Sequence, residues 1–349
     1  FLTLNCHTEW FIMMLMNQRL PMIKLEVPMI ERNCAQQILF LPISNGADEL
    51  RIISGYSTPN MASWLIKNIQ ERHMEPISIK LILGMTPYNG ISTEAHRGFI
   101  DLRHSHYPQQ SKFVCSYVYD NPPVHSNLYV WLKNDCPMCA FVGSMDFLQS
   151  SFVNGRCELA EACDPQAALD YFNAVEARSI YCDSNDVEEY IIIRSKHPIL
   201  DEESNQHGQL SGEGITQTTL SLLSREGNVG KKSGLNWGQR NKRNRNEAYI
   251  PLPSKIAKSG FFPLDKKHFM AKTDDGHNLI LRVEQAGNKA ITTPMSNALL
   301  GEYFRGRLGL ANGSYISMQD LIAYGRTDVT FFKIDDEEYY MDFSVNKEA

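Results

Sequence analysis

Two groups of polar residues stand at the ends of neighbouring apolar runs near the middle of this chain. His125 and Asn127 open one run, and Ser144 and Asp146 close the next one within Gly-Ser-Met-Asp. In a β-strand, residues two apart point to the same face of the sheet, so His125 and Asn127 should lie side by side. A Gly-Ser turn at the end of the adjacent strand would bring Ser144 and Asp146 next to them. This grouping is the candidate catalytic constellation.

A second candidate site is Cys136-Pro-Met-Cys139, which has the spacing of one half of a zinc site. A structural zinc ion needs four ligands, and neither Cys157 with Cys163 nor any later pair repeats that spacing. We therefore predict no metal at these cysteines, which would lie on the hairpin between the two motif strands. The histidines at positions 96, 104 and 106 are predicted to be solvated, on a polar loop or a helix end.

The remaining thiols and the first residues bear on the cellular location. All eight cysteines lie in the acidic half of a chain that is too long to need disulfide staples, so we predict reduced thiols in a cytoplasm. The apolar run from Trp10 to Met16 is too short for a membrane span and lacks the flanks of a signal peptide. We predict that residues 1–28 are a leader or upstream extension, with no contact with a membrane.

The net charge of -6 conceals a strong asymmetry along the chain. Residues 1–224 carry 15 basic and 25 acidic side chains, residues 225–334 carry 18 basic and 9 acidic, and residues 335–349 carry one lysine and six acids. A basic segment of this kind predicts a polyanionic partner, although charge alone does not separate DNA from RNA or an anionic membrane surface. Within the acidic half, little positive charge is expected near Asn127.

The first half alternates short apolar runs with amphipathic stretches, which is typical of an α/β sheet covered by helices. The predicted strands are Arg51–Ser54, Ile79–Leu83, Phe113–Tyr119, Leu128–Leu132 and Ala140–Val142. Thr58-Pro59 and Asp164-Pro165 each predict the start of a helix, because an N-cap residue is followed by proline at the first helical position.

The second half predicts a mostly β barrel or sandwich, because turn residues recur between short β-type runs. A polar linker over 196–234 precedes it, within which Leu220–Leu223 is the candidate for a short helix. The predicted strands are Ala248–Leu252, Asn278–Val283, Tyr315–Ile316, Val329–Ile334 and Tyr339–Phe343, with a helix at Asn297–Arg305.

The segment 236–246, which we call the basic arm, mixes cations with amides. It contains Asn236, Gln239, Arg240, Lys242, Arg243 and Arg245. Arginine pairs with phosphate and with guanine edges, while asparagine and glutamine pair with adenine, so this composition suits both positioning on DNA and recognition of bases. The alternative is a solvated basic loop without a ligand.

The catalytic constellation resembles the signature of the phospholipase D superfamily, which is His-x-Lys, a Gly-Ser-x-Asn turn and then an acid. It is more closely similar to the NgoFVII family of restriction endonucleases, over about residues 29–349. The resemblance implies that His125 is a nucleophile that forms a phosphohistidine with DNA without any metal or other cofactor. It also implies that Ser144 is the turn serine and that Glu158 is the acid that orients His125.

Two positions depart from this signature. Asn127 stands where the family has lysine, and Asp146 stands where it has asparagine. The lysine supplies a permanent positive charge to an anionic transition state, whereas Asn127 offers only a neutral hydrogen bond and an ionised Asp146 would repel phosphate. Loss of one such donor typically lowers a rate by about 10²- to 10³-fold, so the fold can persist with a weak nuclease.

The second half is similar to the C-terminal domain of the same family, a B3-like pseudobarrel. The matching segments include 234–240, 248–253, 300–310, 324–329 and 340–344. The resemblance implies two arms that grip the major groove of double-stranded DNA at a short GC-rich site. The basic arm would be one, and Arg305 and Arg307 are the candidates for part of the other.

The sequence thus predicts a two-domain α+β protein. Residues 29–195 would form a phospholipase D-like α/β/α sandwich, 196–234 a linker, and 235–349 a B3-like β pseudobarrel. By resemblance it is a type II restriction endonuclease of the bacterial cytoplasm, a homodimer through its catalytic domain, with a companion ATPase and a cognate DNA methyltransferase as possible partners. Two alternatives stay open: a sequence-specific DNA-binding protein on an inactive nuclease scaffold, and a phospholipase-like phosphodiesterase acting on lipids or small diesters.

Overall fold

The computed structural model of the protein describes residues 29–105, 111–153, 156–194 and 216–345. The predicted leader, His106 and residues 196–215 of the predicted linker lie outside these ranges. No helix among the described residues is both long and apolar enough to span a membrane.

The first domain is built on a mixed seven-stranded sheet. Its strands and those of a small two-stranded sheet are Glu49–Ser54 (β1), Ser78–Leu83 (β2), Ile91–Ser92 (β3), Lys112–Val118 (β4), Asn127–Lys133 (β5), Cys136–Gly143 (β6), Ala160–Cys163 (β7), Ser179–Tyr181 (β8) and Ile193–Arg194 (β9). The order in the large sheet is β7-β6-β5-β1-β2-β4-β8, and β3 pairs with β9. Strands β1, β2 and β4 run parallel, whereas β5 and β6 form an antiparallel hairpin beside β1.

Helices cover both faces of this sheet. They are Leu41–Ser44 (α1), Pro59–Glu71 (α2), Thr86–Asn89 (α3), Thr93–His104 (α4), Gln149–Phe152 (α5), Pro165–Glu176 (α6) and Val187–Tyr190 (α7), and a π-helical turn, Ala35–Phe40, precedes α1. One face packs on α6 through a core that includes Phe172, and the other packs on α2 and α4 through a core that includes Leu65 and Phe99. The predicted α/β/α sandwich is therefore confirmed.

The predicted helix starts follow the expected capping chemistry. The Thr58 hydroxyl accepts a hydrogen bond from Met61 N at 3.3 Å, and the Asp164 carboxylate accepts one from Ala167 N at 2.7 Å. Helix α4 was not predicted, and it carries His96 into the interior, where its Nδ1 lies 3.1 Å from the Tyr117 hydroxyl. The prediction of a solvated His96 is therefore wrong.

The second domain is a nearly closed β barrel. Its strands are Gln217–Ser221 (β10), Ile250–Pro251 (β11), His268–Thr273 (β12), Asn278–Glu284 (β13), Ala290–Thr292 (β14), Asp328–Lys333 (β15) and Glu338–Asp342 (β16). They are ordered β10-β15-β16-β12-β13-β14-β11, and the two edge strands β10 and β11 approach each other. The accompanying helices are Ser254–Ala257 (α8), Asn297–Arg307 (α9) and Met318–Tyr324 (α10), with a 3₁₀ segment at Gly234–Gln239.

Two predictions for this half are corrected. Strand β10 lies inside the predicted linker and occupies the place of the predicted short helix, because Leu220 and Leu222 are buried two residues apart while β10 pairs with β15. The predicted strand Tyr315–Ile316 is a loop instead. The backbone groups of Ile316 bond to the side chain of Asn236, at 2.9 Å and 2.7 Å, and not to another strand.

Candidate nuclease site and DNA-binding arm

His125 lies at the end of the loop that leads into β5, with its side chain exposed. Its imidazole makes no hydrogen bond with any residue in the described ranges, and its ring meets the Tyr56 ring edge-on, with centroids 5.7 Å apart. A Cβ atom placed on Gly55 would lie 2.5 Å from His125 Cδ2 and 3.2 Å from Nε2. The ring therefore rests on a glycine backbone with its reactive nitrogens free for a ligand.

Asn127 is 6% exposed and is held on both sides. Its amide nitrogen donates to the Ser144 carbonyl at 3.0 Å, and its Oδ1 accepts from Gly55 N at 3.1 Å. Asn127 therefore ties the end of β1 to the turn after β6. A side chain held in this way is committed to positioning the loops, and a lysine here, which has no acceptor, would lose the bond from Gly55 N.

Ser144 and Glu158 form a second pair at the same edge of the sheet. The Ser144 hydroxyl donates to Glu158 Oε2 at 2.5 Å and accepts from Leu159 N at 3.1 Å. Orientation of His125 by Glu158 stays a prediction, because the hydrogen-bond partner that the structure gives Glu158 is Ser144.

Asp146 is the carboxylate that lies beside His125. Its Oδ1 would be 3.3 Å from a Cβ on Gly55, the same point that the His125 ring approaches, and it accepts from Tyr56 N at 3.1 Å. Burial raises the pKa of Asp146; the hydrogen bond from Tyr56 and the charge of His125 lower it, and the charge of Glu158 raises it. The net effect raises the pKa of Asp146 above its ordinary value, and a phosphate that approached His125 would meet this carboxyl group beside it.

One cation near this site was missed in the sequence. Arg156 is exposed, lies two residues before Glu158, and its charge lowers the pKa of Asp146. The expectation of little positive charge near Asn127 therefore needs correction. The only signal in the sequence was the proximity of Arg156 to Glu158.

The loop after β1 was also missed, although it forms the floor of the site. The Ser54 hydroxyl donates to the Tyr56 carbonyl at 2.6 Å and accepts from Phe147 N at 2.8 Å. Gly55 leaves the space that the His125 ring occupies. The signal available in the sequence was the polar pair Ser54-Gly55 at the end of an apolar strand.

No group of three or more histidine, cysteine or acidic side chains in the described ranges is arranged to hold a metal ion. Cys136 and Cys139 both lie on β6, exposed and half-buried respectively. Their position on the hairpin between the two motif strands agrees with the sequence prediction.

The basic arm presents its four cations to solvent. Arg240, Lys242, Arg243 and Arg245 are all exposed. Arg243 lies over the Trp237 ring, 4.0 Å from its centroid, and forms an ion pair with Glu247. Arg245 donates to Gln239 Oε1 at 2.9 Å. Pairing of this kind orders the guanidinium groups while leaving them accessible.

Two amides of this segment serve the fold to different degrees. Asn236 is fully buried and bonds the loop at Ile316, so the prediction that it contacts DNA is wrong. Gln239 is half-buried and donates to the Gly313 carbonyl at 3.1 Å, which fixes the arm to the 311–316 loop.

Arg305 was predicted to contact DNA and is instead fully buried. Its guanidinium donates to backbone carbonyls from three segments, including Ser314 at 2.8 Å, Gly301 at 3.0 Å and Arg245 at 3.2 Å. The charge of Arg305 therefore holds the base of the basic arm against α9 and is not available to DNA.

Arg307 is likewise committed within the domain. It forms a bidentate pair with Asp274, at 2.8 Å and 2.6 Å, and donates to the Tyr324 hydroxyl at 2.6 Å. Burial lowers the pKa of the Arg307 guanidinium. The hydrogen bond to Asp274 and the nearby negative charges outweigh burial and raise that pKa well above its ordinary value. The prediction that Arg305 forms part of a second arm is wrong, because its guanidinium is fully buried on backbone carbonyls. For Arg307, which is half-buried, a DNA contact stays a prediction.

The two folds and their sites define a protein that joins a phospholipase D-like domain to a B3-like DNA-binding domain. Residues 32–189 match the family model described as the NgoFVII restriction endonuclease N-terminal PLD domain, and residues 210–335 match the NgoFVII C-terminal B3-like DNA-binding domain. The chain belongs to the NgoFVII restriction endonuclease family.

Solved structures similar to part of the chain include three bacterial proteins. NucT from Helicobacter pylori is 17% identical, with a TM-score of 0.31 over 44% of this chain and 97% of its own. Nuc from Salmonella typhimurium, a phospholipase D family member, is 10% identical, with a TM-score of 0.31 over 44% and 93%. Polyphosphate kinase from Porphyromonas gingivalis is 14% identical, with a TM-score of 0.29 over 45% and 25%. A search of curated proteins gives no match.

Proposed function

We propose that this protein is a sequence-specific, metal-independent DNA endonuclease in which His125 is the nucleophile. The observation that carries this proposal is the convergence on His125 of the loops after β1 and β6, in a chain whose other domain presents an exposed basic arm. The family to which the chain belongs supports the same reaction class.

The proposed chemistry has two steps. The neutral imidazole of His125 attacks phosphorus, so that a nitrogen–phosphorus bond forms while the bond from phosphorus to the 3′ oxygen breaks. A second copy of the chain, joined through the catalytic domain, would place its own protonated His125 to donate a proton to that leaving oxygen. The His125 of the second copy, now neutral, then takes a proton from a water whose oxygen attacks the phosphohistidine. The nitrogen–phosphorus bond breaks, which releases a 5′ phosphate and regenerates the free imidazole.

The residues around His125 have separate roles in this proposal. Gly55 allows the ring to approach the loop, and Asn127 holds the two loops together. Ser144 and Glu158 form the hydroxyl–carboxylate pair at the edge of the site, and Arg156 supplies the positive charge that Asn127 does not. Electrostatic stabilisation of the pentavalent phosphorus is therefore weaker than a motif lysine would provide.

The test is incubation with GC-rich duplex DNA in excess chelator, with His125→Ala as the matched control. Cleavage by the native chain, absent in His125→Ala, is the expected result. Equal cleavage by both proteins would contradict the assignment of His125 as the nucleophile.

A second function, sequence-specific DNA binding without cleavage, is favoured by one observation. Asp146 lies beside His125, where an ionised carboxylate would oppose the approach of a phosphate. Tight binding of DNA with neither a cut strand nor a covalent adduct would support it. Under this alternative, the variant Asp146→Asn combined with Asn127→Lys would test whether the family's motif residues restore activity.

A further inference from the structure

The two loops that surround His125 both end at the contact between the two domains. The loop after β1 leads into α2, which Thr58 caps and whose first turn contains Asn60. The loop after β6 leads into α5, which begins at Gln149, three residues after Asp146. The residues that follow each loop bond to the DNA-binding domain.

Gln149 makes the more specific of these contacts. Its side chain is fully buried, and it donates from Nε2 to the His268 carbonyl at 2.8 Å and accepts at Oε1 from His268 N at 2.8 Å. The amide therefore pairs with β12 as a neighbouring strand would, at the residue where β12 begins. Two hydrogen bonds to the backbone of one residue restrain the Gln149 side chain against both translation and rotation relative to β12.

Glu337 joins the other loop to the same place. Its carboxylate accepts from the Thr58 hydroxyl at 3.1 Å and from Asn60 Nδ2 at 3.5 Å, and its carbonyl accepts from Asn60 Nδ2 at 3.2 Å. Thr58 also caps α2. The Glu337 carbonyl also accepts from Met270 N at 2.7 Å. Met270 is two residues along β12 from His268, the residue to which Gln149 bonds.

The two loops are themselves bonded to each other. Tyr56 N donates to Asp146, Phe147 N donates to Ser54, and a bridge joins Ser57 to Phe147. A displacement at either anchor would therefore move both loops, and with them Gly55, on which the His125 ring rests.

We propose that Gln149 and Glu337 are positioning residues through which the DNA-binding domain sets the geometry of the His125 site. They act on His125 through the loops that they hold and not by direct contact. The expected change in cleavage rate rests on the proposed nuclease function. The expected change in the position of the His125 ring does not.

The experiment uses the full chain and compares Gln149→Met and Glu337→Gln with Lys266→Gln. Methionine keeps the length of Gln149 but loses both hydrogen bonds, and Glu337→Gln keeps an acceptor for Thr58 while it removes the charge. Lys266→Gln is the matched control, because it removes an ion pair with Glu71 that joins the same two domains at the other end of α2.

Two quantities are measured for each variant. The first is the single-turnover rate of cleavage of GC-rich DNA, measured together with the dissociation constant for the same duplex. We expect Gln149→Met to lower the cleavage rate by about 10- to 100-fold, because displacement by about one ångström is enough for such a loss, with an unchanged dissociation constant. Glu337→Gln should have a smaller effect of the same kind.

The second quantity is the NMR resonance of the His125 imidazole in the free protein, assigned with His125→Ala. We expect this resonance to shift in Gln149→Met and to match the native chain in Lys266→Gln. If the native chain does not cleave DNA but the resonance shifts, the proposed nuclease function fails and the positioning role stands. A resonance and rate in Gln149→Met equal to those of Lys266→Gln would overturn the proposal.

Discussion

The proposed nuclease site and the basic arm have opposite electrostatics. Around His125 the described charged neighbours are two carboxylates, Asp146 and Glu158, and one guanidinium, Arg156. The arm exposes four cations and pairs one of them, Arg243, with a carboxylate. In the proposed function the two regions have separate roles: the arm supplies affinity for DNA, and the site supplies the reacting group.

This difference shows why a cation in the sequence is a poor guide to a DNA contact. Arg305 and Arg245 lie in the same basic segment, and their guanidinium groups differ in burial rather than in chemistry. The Arg305 guanidinium donates its hydrogen bonds to backbone carbonyls, including that of Arg245, whereas the Arg245 side chain faces solvent. The arm's exposed arginines are held in place by a buried one.

The largest expected effect separates these two kinds of arginine. Arg305→Ala should lower the free energy of unfolding by about 3 kcal/mol or more, because several buried carbonyls lose their donor. Arg240→Ala, at an exposed position, should change it by less than about 0.5 kcal/mol. Urea denaturation of both variants measures the difference, and equal stabilities would refute the structural role of Arg305.

The next effect tests the arm as the source of affinity. The triple variant Arg240→Ala, Arg243→Ala and Arg245→Ala should weaken DNA binding by about 10²-fold and reduce the salt dependence of the logarithm of affinity by about 2 to 3. The fold should persist, since these side chains are exposed. Titrations of labelled duplex at several salt concentrations provide the measurement.

The control for the arm is a triple alanine variant at Lys255, Lys258 and Lys289, which are exposed lysines of the same domain outside the arm. It should retain most of the affinity. An equal loss in both triple variants would show that binding depends on the total charge of the domain and not on the arm.

A third effect concerns Glu338 on β16, close to Glu94 of the first domain. Burial first, and then the nearby carboxylates, raise the pKa of Glu338 to about 7 from an ordinary value of 4.5. The folded protein thus holds a proton that the unfolded chain releases, so the free energy of unfolding should fall as the pH rises from about 4.5 to 7, by about 2 kcal/mol. In Glu338→Gln this decline should be absent, and an unchanged pH profile would show that Glu338 is not its source.

The smallest effect tests the repulsion at the site. Asp146→Asn should raise the single-turnover rate by about 10-fold, because a carboxylate beside the phosphate is replaced by a neutral donor. Arg156→Ala should lower the rate by a similar factor. A lower rate in Asp146→Asn would show instead that Asp146 assists His125.

Much of the first domain could be predicted from the sequence because its determinants are local. Apolar runs mark β1, β2, β4 and β5, and the dipeptides Thr58-Pro59 and Asp164-Pro165 mark the helices that follow. The grouping of His125, Asn127, Ser144 and Asp146 could also be predicted, because a hairpin places the ends of adjacent strands together.

The features that were missed depend on contacts between distant segments. The floor of the site at Gly55 follows from the pairing of β1 with β5, and the burial of Arg305 follows from a loop that closes over α9. Strand β10 has few apolar residues, and its pairing with β15, more than 100 residues away, decides its conformation. Periodicity and composition carry no information about such partners.

The most direct test of the central claim is detection of a covalent intermediate on His125. The native chain is mixed with GC-rich duplex DNA in excess chelator, quenched within one turnover, and digested for mass spectrometry of the peptide that contains His125. A nucleotide adduct on His125 that is absent in His125→Ala is the result that this account predicts. Cleaved DNA with an unmodified His125 at every quench time, or cleavage that requires a metal ion, would contradict it.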